Sequence, residues 1–330
     1  MKCWMRILRI ELTSKINPRN VMVFGNGTEQ TKTTYNHGLP SPSINDNLTI
    51  KVDGTKYPAT NKDKGVITII NLSYDTIVKI KLGMYYIIKI YCGYQSWNKE
   101  PFPIFEGEIS HMSQKIYSAH DTETYIQFAS RLVASYSQNR MNFTLNSGIN
   151  IYAAAAYMLR AQGIQNKHID PALKNNFINE VRTYYGKAST ILDSATLSQV
   201  GSYDISTDGI DGNVIDITTV KNKRVIKIDN ESIPIGSGNP TVSSEGLSIE
   251  LLPLMNFKVG DILLIDNALI DISINSADVT STFNSNYMDT NGKYIIYELR
   301  YTLENRGSNF KYSIKARALD IVKNLSGVSA

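Results

Sequence analysis

The sequence has little cysteine, no long apolar run and a nearly balanced charge, and each shortage excludes a class of protein. Cys3 and Cys92 are the only cysteines in 330 residues, so a disulfide scaffold is excluded and we expect both thiols to be reduced. No segment reaches the roughly 18 apolar residues of a membrane span, so we expect no membrane insertion. A net charge of +4 is too small to indicate a dedicated nucleic-acid binder.

The motifs of the common catalytic and metal-binding classes are also missing. The chain has no Gly-x-Ser-x-Gly elbow, no phosphate-binding Gly-x-x-x-x-Gly-Lys and no dinucleotide fingerprint. Neither cysteine has a neighbour at zinc spacing, and the histidines are scattered. We therefore expect no catalytic residue, no metal and no cofactor. The four histidines are His37, His111, His120 and His168.

One segment imitates the start of a calcium-binding loop. Asp204, Ser206 and Asp208 precede Gly209 with the spacing of the first ligands of such a loop. The twelfth position is Ile215, where calcium requires a bidentate glutamate. We interpret this segment as an Asp-Gly turn.

The residues that are present indicate a β-rich globular protein. Hydrophobic residues make up 42% of the chain and charged residues 19%, and tyrosine is frequent, with 20 copies. A chain of 36.9 kDa can bury a substantial core and has the length of about two domains.

The stretch 66–119 carries the strongest pattern. We predict antiparallel strands at Val66–Leu72, at Ile77–Leu82 and at Met84–Tyr91, the last ending at Cys92-Gly93-Tyr94. A further strand is predicted around Ile104 to Ile109. These runs are bounded by Gly, Asn, Ser and Pro, which are typical of tight turns.

Shorter strands flank this stretch. Trp4–Leu12 alternates apolar and charged residues, which predicts a strand with one solvent-exposed face. Val21–Phe24 is its predicted partner strand. Residues 25–47 are polar and rich in Gly and Pro, which indicates a surface loop or an arm that orders against a neighbour. Leu48–Val52 is predicted as a strand that ends in a turn at Asp53-Gly54. Residues 124–128 carry the last strand-like apolar positions before 135.

The hydrophobic period changes in residues 136–200, for which we predict a helical connector. Asn150–Gln162 is rich in strong helix formers, and Pro171 can begin a second helix that reaches Val181. Ala188–Val200 predicts a third helix. We expect these helices to pack against the β domains.

Strand patterns return after residue 200. Asn213–Thr219, Arg224–Ile228, Leu247–Leu252 and Ile262–Ile265 are predicted strands. Gly292–Tyr301 predicts another strand, which pairs with Phe310–Ala318 across the turn at 305–309. The polar residues 275–292 predict a second long loop.

The order of these pieces resembles a known family. Ile-x-Asn-Leu-Ser, a Gly-led strand that ends in Gly-Tyr, and Ile-Phe-x-Gly-x-Ile follow one another in the first half, and a Pro segment, a Gly-Asp and a Gly-x-Tyr strand follow in the second. The chain is similar in this respect to baseplate hub proteins of contractile-tailed bacteriophages, the late control protein D group, which is related to type VI secretion spike proteins. The residues that carry the resemblance are Ile69, Asn71, Leu72, Gly83, Gly93, Tyr94, Phe105, Gly107, Ile109, Pro253, Gly260, Asp261, Gly292 and Tyr294. The insertion-like segment 268–291 departs from the pattern.

The resemblance implies a mainly β fold with a small α segment, in which two tube-like antiparallel β-barrel domains, 1–135 and 201–330, flank the helical connector 136–200. It implies a structural, non-enzymatic hub in the virion tail baseplate, assembled in the bacterial cytoplasm. Three copies would form a pseudo-sixfold ring that joins the hexameric tail tube to the trimeric central spike and lines the DNA channel without binding DNA specifically. Further implied partners are a tube-initiator protein, baseplate wedge proteins and the tape-measure protein.

Two other functions fit the same sequence. A tail hydrolase that cleaves cell-wall glycan would use Glu106 or Glu108 as its acid, because these carboxylates flank Gly107 on one strand. A monomeric tail-fibre module that binds a carbohydrate or receptor is the second alternative.

Overall fold

The computed structural model of the chain describes most of its residues. The described ranges are 6–14, 16–25, 44–45, 48–57, 63–94, 100–116, 118, 120–130, 140–161, 167–187, 191, 203–208, 214–219, 222–234, 237–243, 246–272 and 288–319.

The first part of the chain forms eight strands and one helix. The helix, α1 (Tyr74–Lys81), lies between the fifth and sixth strands. The strands are β1 (Arg6–Thr13), β2 (Val21–Gly25), β3 (Ile44–Asn45), β4 (Ile50–Lys56), β5 (Lys64–Ile70), β6 (Ile87–Tyr94), β7 (Phe102–Ile116) and β8 (Thr122–Ala129).

The middle part combines a helix with two small sheets. The helix α2 (Ile151–Ala161) confirms the predicted helix at 150–162. The strands β9 (Arg140–Leu145) and β11 (Arg182–Lys187) form a two-stranded sheet. The strands β10 (Lys167–Ile169), β12 (Tyr203–Asp208) and β13 (Val214–Thr219) form a three-stranded sheet, which extends past residue 200. Neither α1 nor α2, the α-helices in the described ranges, is long and apolar enough to cross a membrane.

The last part of the chain returns to strands. They are β14 (Val225–Lys227), β15 (Thr241–Ser243), β16 (Gly246–Leu251), β17 (Ile262–Leu264), β18 (Asp271–Ile272), β19 (Lys293–Glu304) and β20 (Phe310–Ala318). Short 3-10 helices lie at Pro171–Asn175, Asn230–Ser232 and Asn267–Leu269.

The first and last parts share one sheet of 15 strands. Its main path runs β18-β15-β16-β20-β19-β4-β5-β8-β7-β6-β1-β2-β3, and β17 pairs with both β14 and β19. Residues from both parts also fall into one hydrophobic core, and a second core surrounds α2. The prediction of a mainly antiparallel β fold with a small α segment is confirmed. The domain boundaries stay a prediction.

The strand predicted at Ile77–Leu82 is wrong, because these residues lie in and directly after α1. Ser73 caps the helix by accepting a hydrogen bond from the Thr76 backbone N–H, and Asp75 stands in the first turn. Ile77 and Ile80, three residues apart, supply the buried face. Helical spacing and capping therefore override the β-branched composition.

Three further boundaries are corrected. β4 continues through Asp53-Gly54, where a turn was predicted, because both residues pair with β5 and with β19. β6 continues through Gly93 to Tyr94, since both residues pair with β1. The helix predicted from Pro171 to Val181 is a 3-10 helix that ends at Asn175, and an isolated bridge at Phe177 follows.

Several predictions fall on residues outside the described ranges. The third predicted helix, at 188–200, is described only at Ile191. Most of the predicted loops at 25–47 and 275–292 also lies outside the described residues.

Candidate functional site

Two sets of five strands in the main sheet have the same order and pairing. In the first set the order across the sheet is β4-β5-β8-β7-β6, and in the second set it is β15-β16-β20-β19-β17. Every pairing within either set is antiparallel, and the strands follow one another along the chain in the same sequence. The second set therefore repeats the topology of the first.

The repeat extends to local irregularities. The β7–β8 ladder has a bulge between Ile109 and His111, and the β19–β20 ladder has one between Ile296 and Glu298. Just before each bulge the same backbone bond forms, from Ile109 N–H to Tyr86 O and from Ile296 N–H to Asp261 O, both at 2.9 Å. Bulges change the twist of a strand at a fixed point, so their common position aligns the two sets residue by residue.

The sets differ at their margins. β1 pairs with β6 in antiparallel fashion, whereas β14 pairs with β17 in parallel fashion. The connection from β5 to β6 contains α1, and the corresponding connection at 252–261 contains no helix. The similarity is therefore one of core topology.

The two sets meet along a seam, which we define as the β4–β19 ladder. It pairs Lys51–Lys56 with Leu299–Glu304, the part of β19 that follows the bulge. Tyr301 lies opposite Gly54, and a Cβ built on Gly54 would come within 2.2 Å of the Tyr301 ring. The ring thus occupies the space that the glycine leaves open, and the close approach requires glycine at this position.

Polar contacts reinforce the end of the seam. Asn305 accepts a hydrogen bond from Ile50 N–H and donates one to Leu48 O, both at 2.8 Å. Thr302 donates to Asp53 at 3.0 Å. Lys51 Nζ lies 3.7 Å from Glu304, but such a partly exposed ion pair contributes at most about 1 kcal/mol. The amide bonds of Asn305 fix the register more strongly than the charges do.

Buried polar side chains lie behind the seam. Cys92 Sγ lies 3.5 Å from the Tyr312 hydroxyl. Burial raises the pKa of Cys92 to about 12, so its thiol stays protonated and is a poor nucleophile. Burial also raises the pKa values of Tyr301 and Tyr312 well above their usual range. All three groups therefore stay protonated near neutral pH.

A second contact ties the ends of the two strand sets. Tyr94, at the end of β6, packs edge-to-face on Phe310 with ring centroids 5.3 Å apart. Arg6 stands over the same Phe310 ring at 5.4 Å and donates to Gly307 O at 2.5 Å. The predicted residue Tyr94 thus joins the first half of the chain to the last hairpin.

Three residues that carry the family resemblance lie in the β5–β6 connection and determine its turns. Asn71 adopts φ 58°, donates to Asp121 at 2.8 Å and accepts from Thr122 N–H at 3.0 Å. Leu72 is buried in the core. Gly83 follows α1 with φ 72°, and the bonds from Gly83 N–H to Ile80 O and from Met84 N–H to Lys79 O form a helix-ending Schellman motif.

The predicted residues of β6 and β7 lie in the sheet. Gly93 pairs with Ile7, and the ring of the buried Phe105 packs on Phe128 at 4.5 Å. A Cβ on Gly107 would come within 2.5 Å of both Ala129 O and the Phe105 ring. Gly107 therefore permits the close packing of Phe105.

Three resemblance residues of the second half of the chain lie just before β17. Pro253 is buried, and Gly260 donates its N–H to Ile296 O at 2.8 Å. Asp261 is buried, accepts from Lys258 N–H at 2.8 Å, and forms an ion pair with Arg224. The Asp261 carboxylate thereby fixes the turn that leads into β17.

Gly292 and Tyr294 begin β19. A Cβ on Gly292 would come within 2.1 Å of Ile265 O, and its φ is 67°. Tyr294 is fully buried, and its hydroxyl accepts from Asp289 N–H at 3.3 Å. Burial raises the pKa of Tyr294 above its ordinary value of 10.0.

The carboxylate and calcium-loop candidates of the sequence lie in strands, Glu106 and Glu108 in β7 and Asp204 to Asp208 in β12. Glu106 pairs with Lys89 on the neighbouring strand at 3.0 Å, as an ordinary cross-strand ion pair does. Asp204 to Asp208 lie in β12 and pair with β13, so these residues form a strand. The Asp-Gly turn predicted after them reaches Gly209, which lies outside the described residues. In the described ranges, no three His, Cys, Asp or Glu side chains come together as a metal site.

Sequence reasoning missed the seam itself. Tyr301, Gly54 and Asn305 hold it, and the sequence pattern predicted only a turn at Gly54. The partners lie about 250 residues apart in the chain, as in the 249-residue separation of Asp53 and Thr302, so no local pattern signals them. The only available signal was a glycine within a run of strand-forming residues.

These features define a mainly β protein with a duplicated strand set, and known structures share its fold. No family profile matches the sequence, and no curated protein matches it either. The tail protein from Neisseria meningitidis MC58 aligns over 84% of this chain and 97% of its own, with a TM-score of 0.52 and 8% identity. The 43 kDa tail protein of prophage MuSo2 from Shewanella oneidensis aligns over 83% of this chain and 97% of its own, with a TM-score of 0.50 and 6% identity.

A third similar structure is a component of the type VI secretion system from Escherichia coli. It aligns over 85% of this chain and 75% of its own, with a TM-score of 0.48 and 11% identity. The two neighbours with TM-scores of 0.50 and 0.52 are phage tail proteins, the class that the resemblance in the sequence named. At such low identity, the comparison with the two tail proteins establishes a common fold.

Proposed function

We propose that this chain is the structural hub of a contractile tail baseplate. Three copies form a ring of six similar strand sets that stacks on a hexameric tail tube and presents a threefold face to the central spike. The two strand sets correspond to two tube-like units, and the middle part of the chain packs outside the ring. The observation that carries the proposal is the repeat of the five-strand pairing order in one chain.

The repeat supports this function because a subunit with two similar units can match two symmetries. A threefold ring of such subunits is approximately sixfold in its core topology and threefold in its margins. The differences between the sets, α1 and the direction of β14, then distinguish one unit from the other. The fold shared with two phage tail proteins gives the proposal its biological setting.

The proposed partners follow from this arrangement. The central spike and the tail tube or its initiator contact opposite faces of the ring, and baseplate wedge and tape-measure proteins lie nearby. The DNA passes through the ring without specific contacts, which the small net charge of +4 allows, since many phosphate contacts would hold the DNA in place. In this proposal the protein assembles in the host cytoplasm and becomes part of the virion tail.

A mass measurement tests the proposal. Multi-angle light scattering of the purified chain over a range of concentrations should reveal a species with three times the monomer mass of 36.9 kDa. A persistent monomer that binds glycans would instead support a tail-fibre module and contradict the hub. Cell-wall hydrolysis that is lost on replacing Glu106 and Glu108 by Gln would support the hydrolase.

A further inference from the structure

The two strand sets differ in one pairing. The edge of β19 in the second set is paired with β4, whereas the equivalent edge of β7 in the first set is unpaired among the described residues. Within the chain, the part of β19 after the bulge receives the edge of β4. The corresponding part of β7, His111–Ile116, pairs with β8 on one side. Among the described residues, no strand pairs with its other side, because the β6 ladder ends at Glu108. Every second residue of an extended strand directs its backbone groups away from its one partner, so this segment is an open edge.

Side chains of this β7 segment are exposed, whereas the equivalent side chains of β19 are buried where β4 pairs with it. The bulges align Ile116 with Leu303. Leu303 is 0% exposed beneath the seam, whereas Ile116 is 78% exposed. Leu299 is buried, while its counterpart Met112 is only partly buried. Lys81 reaches this segment by donating to the Gln114 side chain at 3.5 Å. The side chains that β4 covers on β19 are therefore uncovered at the equivalent positions of β7.

In the second strand set, β15 is equivalent to β4. The short strand β18 pairs with the outer edge of β15. Thr241 and Val242 pair there in parallel with Asp271 and Ile272 of β18, and Asp271 N–H donates to Pro240 O at 2.7 Å. β18 has two residues, while the corresponding edge of β4 carries a ladder to β19 that spans Lys51–Lys56. β18 is thus a small cover on the edge that the repeat assigns to a larger partner.

We infer that β7 of one copy pairs with β15 of the next, and that β18 is a removable cover that keeps this edge closed until the copies meet. The inference rests on the proposed ring and names its intersubunit contact. The occupant of the open edge is a second copy of this chain, because the chain already makes the equivalent contact within itself. The interface is head-to-tail, and in the proposed ring a rotation by a third of a turn relates one copy to the next.

The equivalence of the two sets fixes the register of the contact. The internal pairs Arg300 with Thr55 and Thr302 with Asp53 correspond to Ser113 with Ser243 and Lys115 with Thr241 between copies.

Disulfide trapping tests this register. In a Cys3→Ser background, the Ser113→Cys, Ser243→Cys variant should form covalent dimers and trimers under mild oxidation. The Arg300→Cys, Thr55→Cys variant is the matched control, since the same geometry there gives a bond within one chain. Pairing Ser113→Cys with Thr183→Cys, on the exposed face of β11, should give no covalent trimer.

A reversible lock tests the cover. A disulfide between Thr241→Cys and Asp271→Cys holds β18 on β15, so the oxidised protein should stay monomeric and the reduced protein should assemble. Ile116→Asp should weaken assembly about tenfold or more without unfolding the monomer, because it removes apolar area that is buried only between copies.

The outcomes separate this inference from the proposed function. If no trimer forms under any condition, the ring itself is contradicted. A trimer that gives no Ser113–Ser243 cross-link, or that forms equally well with β18 locked, contradicts the inferred seam and leaves the ring standing. Cross-linked trimers, together with assembly that depends on reduction of the lock, establish both.

Discussion

The ring of Tyr301 lies over Gly54 on the neighbouring strand, in the position where a Cβ would lie 2.2 Å from the ring. This pair joins strands from opposite ends of the chain and is fully buried on the tyrosine side. The contact lets one sheet continue from the first strand set into the second. It is therefore the local determinant of the seam.

Gly54→Ala should destabilise the protein. The added methyl collides with the Tyr301 ring, and such overpacking costs about 1–3 kcal/mol. Urea unfolding followed by circular dichroism measures the change in the free energy of unfolding. Thr55→Ala on the same strand, whose side chain is partly exposed, is the control and should have the smaller effect. Equal stability of Gly54→Ala and the unmodified protein would contradict the close packing.

Tyr301→Phe and Tyr301→Ala should differ sharply. The Tyr301 hydroxyl is buried and has no hydrogen-bond partner in the described part of the chain, so its removal should be neutral or stabilising. Removal of the whole ring leaves a cavity over Gly54 and should cost about 3–5 kcal/mol. Thermal unfolding of the two variants checks this order, and a large loss for Tyr301→Phe would show that the hydroxyl is bonded.

Gly83→Ala and Gly292→Ala form a matched pair. Both glycines have positive φ, 72° and 67°, so alanine at either costs about 1–2 kcal/mol of backbone strain. Gly83 has open space for a Cβ, whereas a Cβ on Gly292 would lie 2.1 Å from Ile265 O. Gly292→Ala should therefore be the more destabilising of the two in denaturant titrations. The reverse order would contradict the geometry of the turn before β19.

The Cys92 thiol should resist modification while the protein is folded. Its pKa is raised to about 12 by burial, and the side chain is fully covered. In a Cys3→Ser variant, a thiol reagent at pH 8 should label the chain only after denaturant is added. Stoichiometric labelling of the folded protein would contradict the buried position.

The same pKa predicts a loss of stability at high pH. The unfolded thiol loses its proton near pH 9, while the folded thiol holds it to about pH 12, so the unfolded state binds fewer protons in that window. The free energy of unfolding should therefore fall as pH rises from about 9 to 12. The raised pKa values of the buried Tyr301 and Tyr312 act in the same direction. A stability that is constant over this range would contradict their burial.

Local patterns predicted most strands of the fold and failed where capping or pairing overrides composition. The alternation at Arg6–Thr13 and the hairpin at Lys293–Ala318 follow from period and turn residues alone. At Ile77–Leu82 the β-branched residues suggested a strand, but Ser73 and the spacing of two isoleucines select a helix. At Asp53-Gly54 a turn signal lies in mid-strand, because Tyr301 fills the space above the glycine.

The candidate site was predictable only in part. Turn residues such as Asn71, Gly83 and Gly292 carry local signals, and their geometry explains why these residue types stand there. The seam depends on pairing between β4 and β19, which lie at opposite ends of the chain. It also depends on bulges that no residue pattern predicts. Only the assembled sheet reveals that the two strand sets are equivalent.

The central claim is that three copies of this duplicated strand set build one ring. Electron microscopy of the purified protein, viewed along the particle axis, tests it most directly. The account predicts a closed ring of three chains whose core has six similar lobes, with the middle part of each chain outside it. Isolated single chains at every concentration, or a ring with another number of subunits, would contradict it.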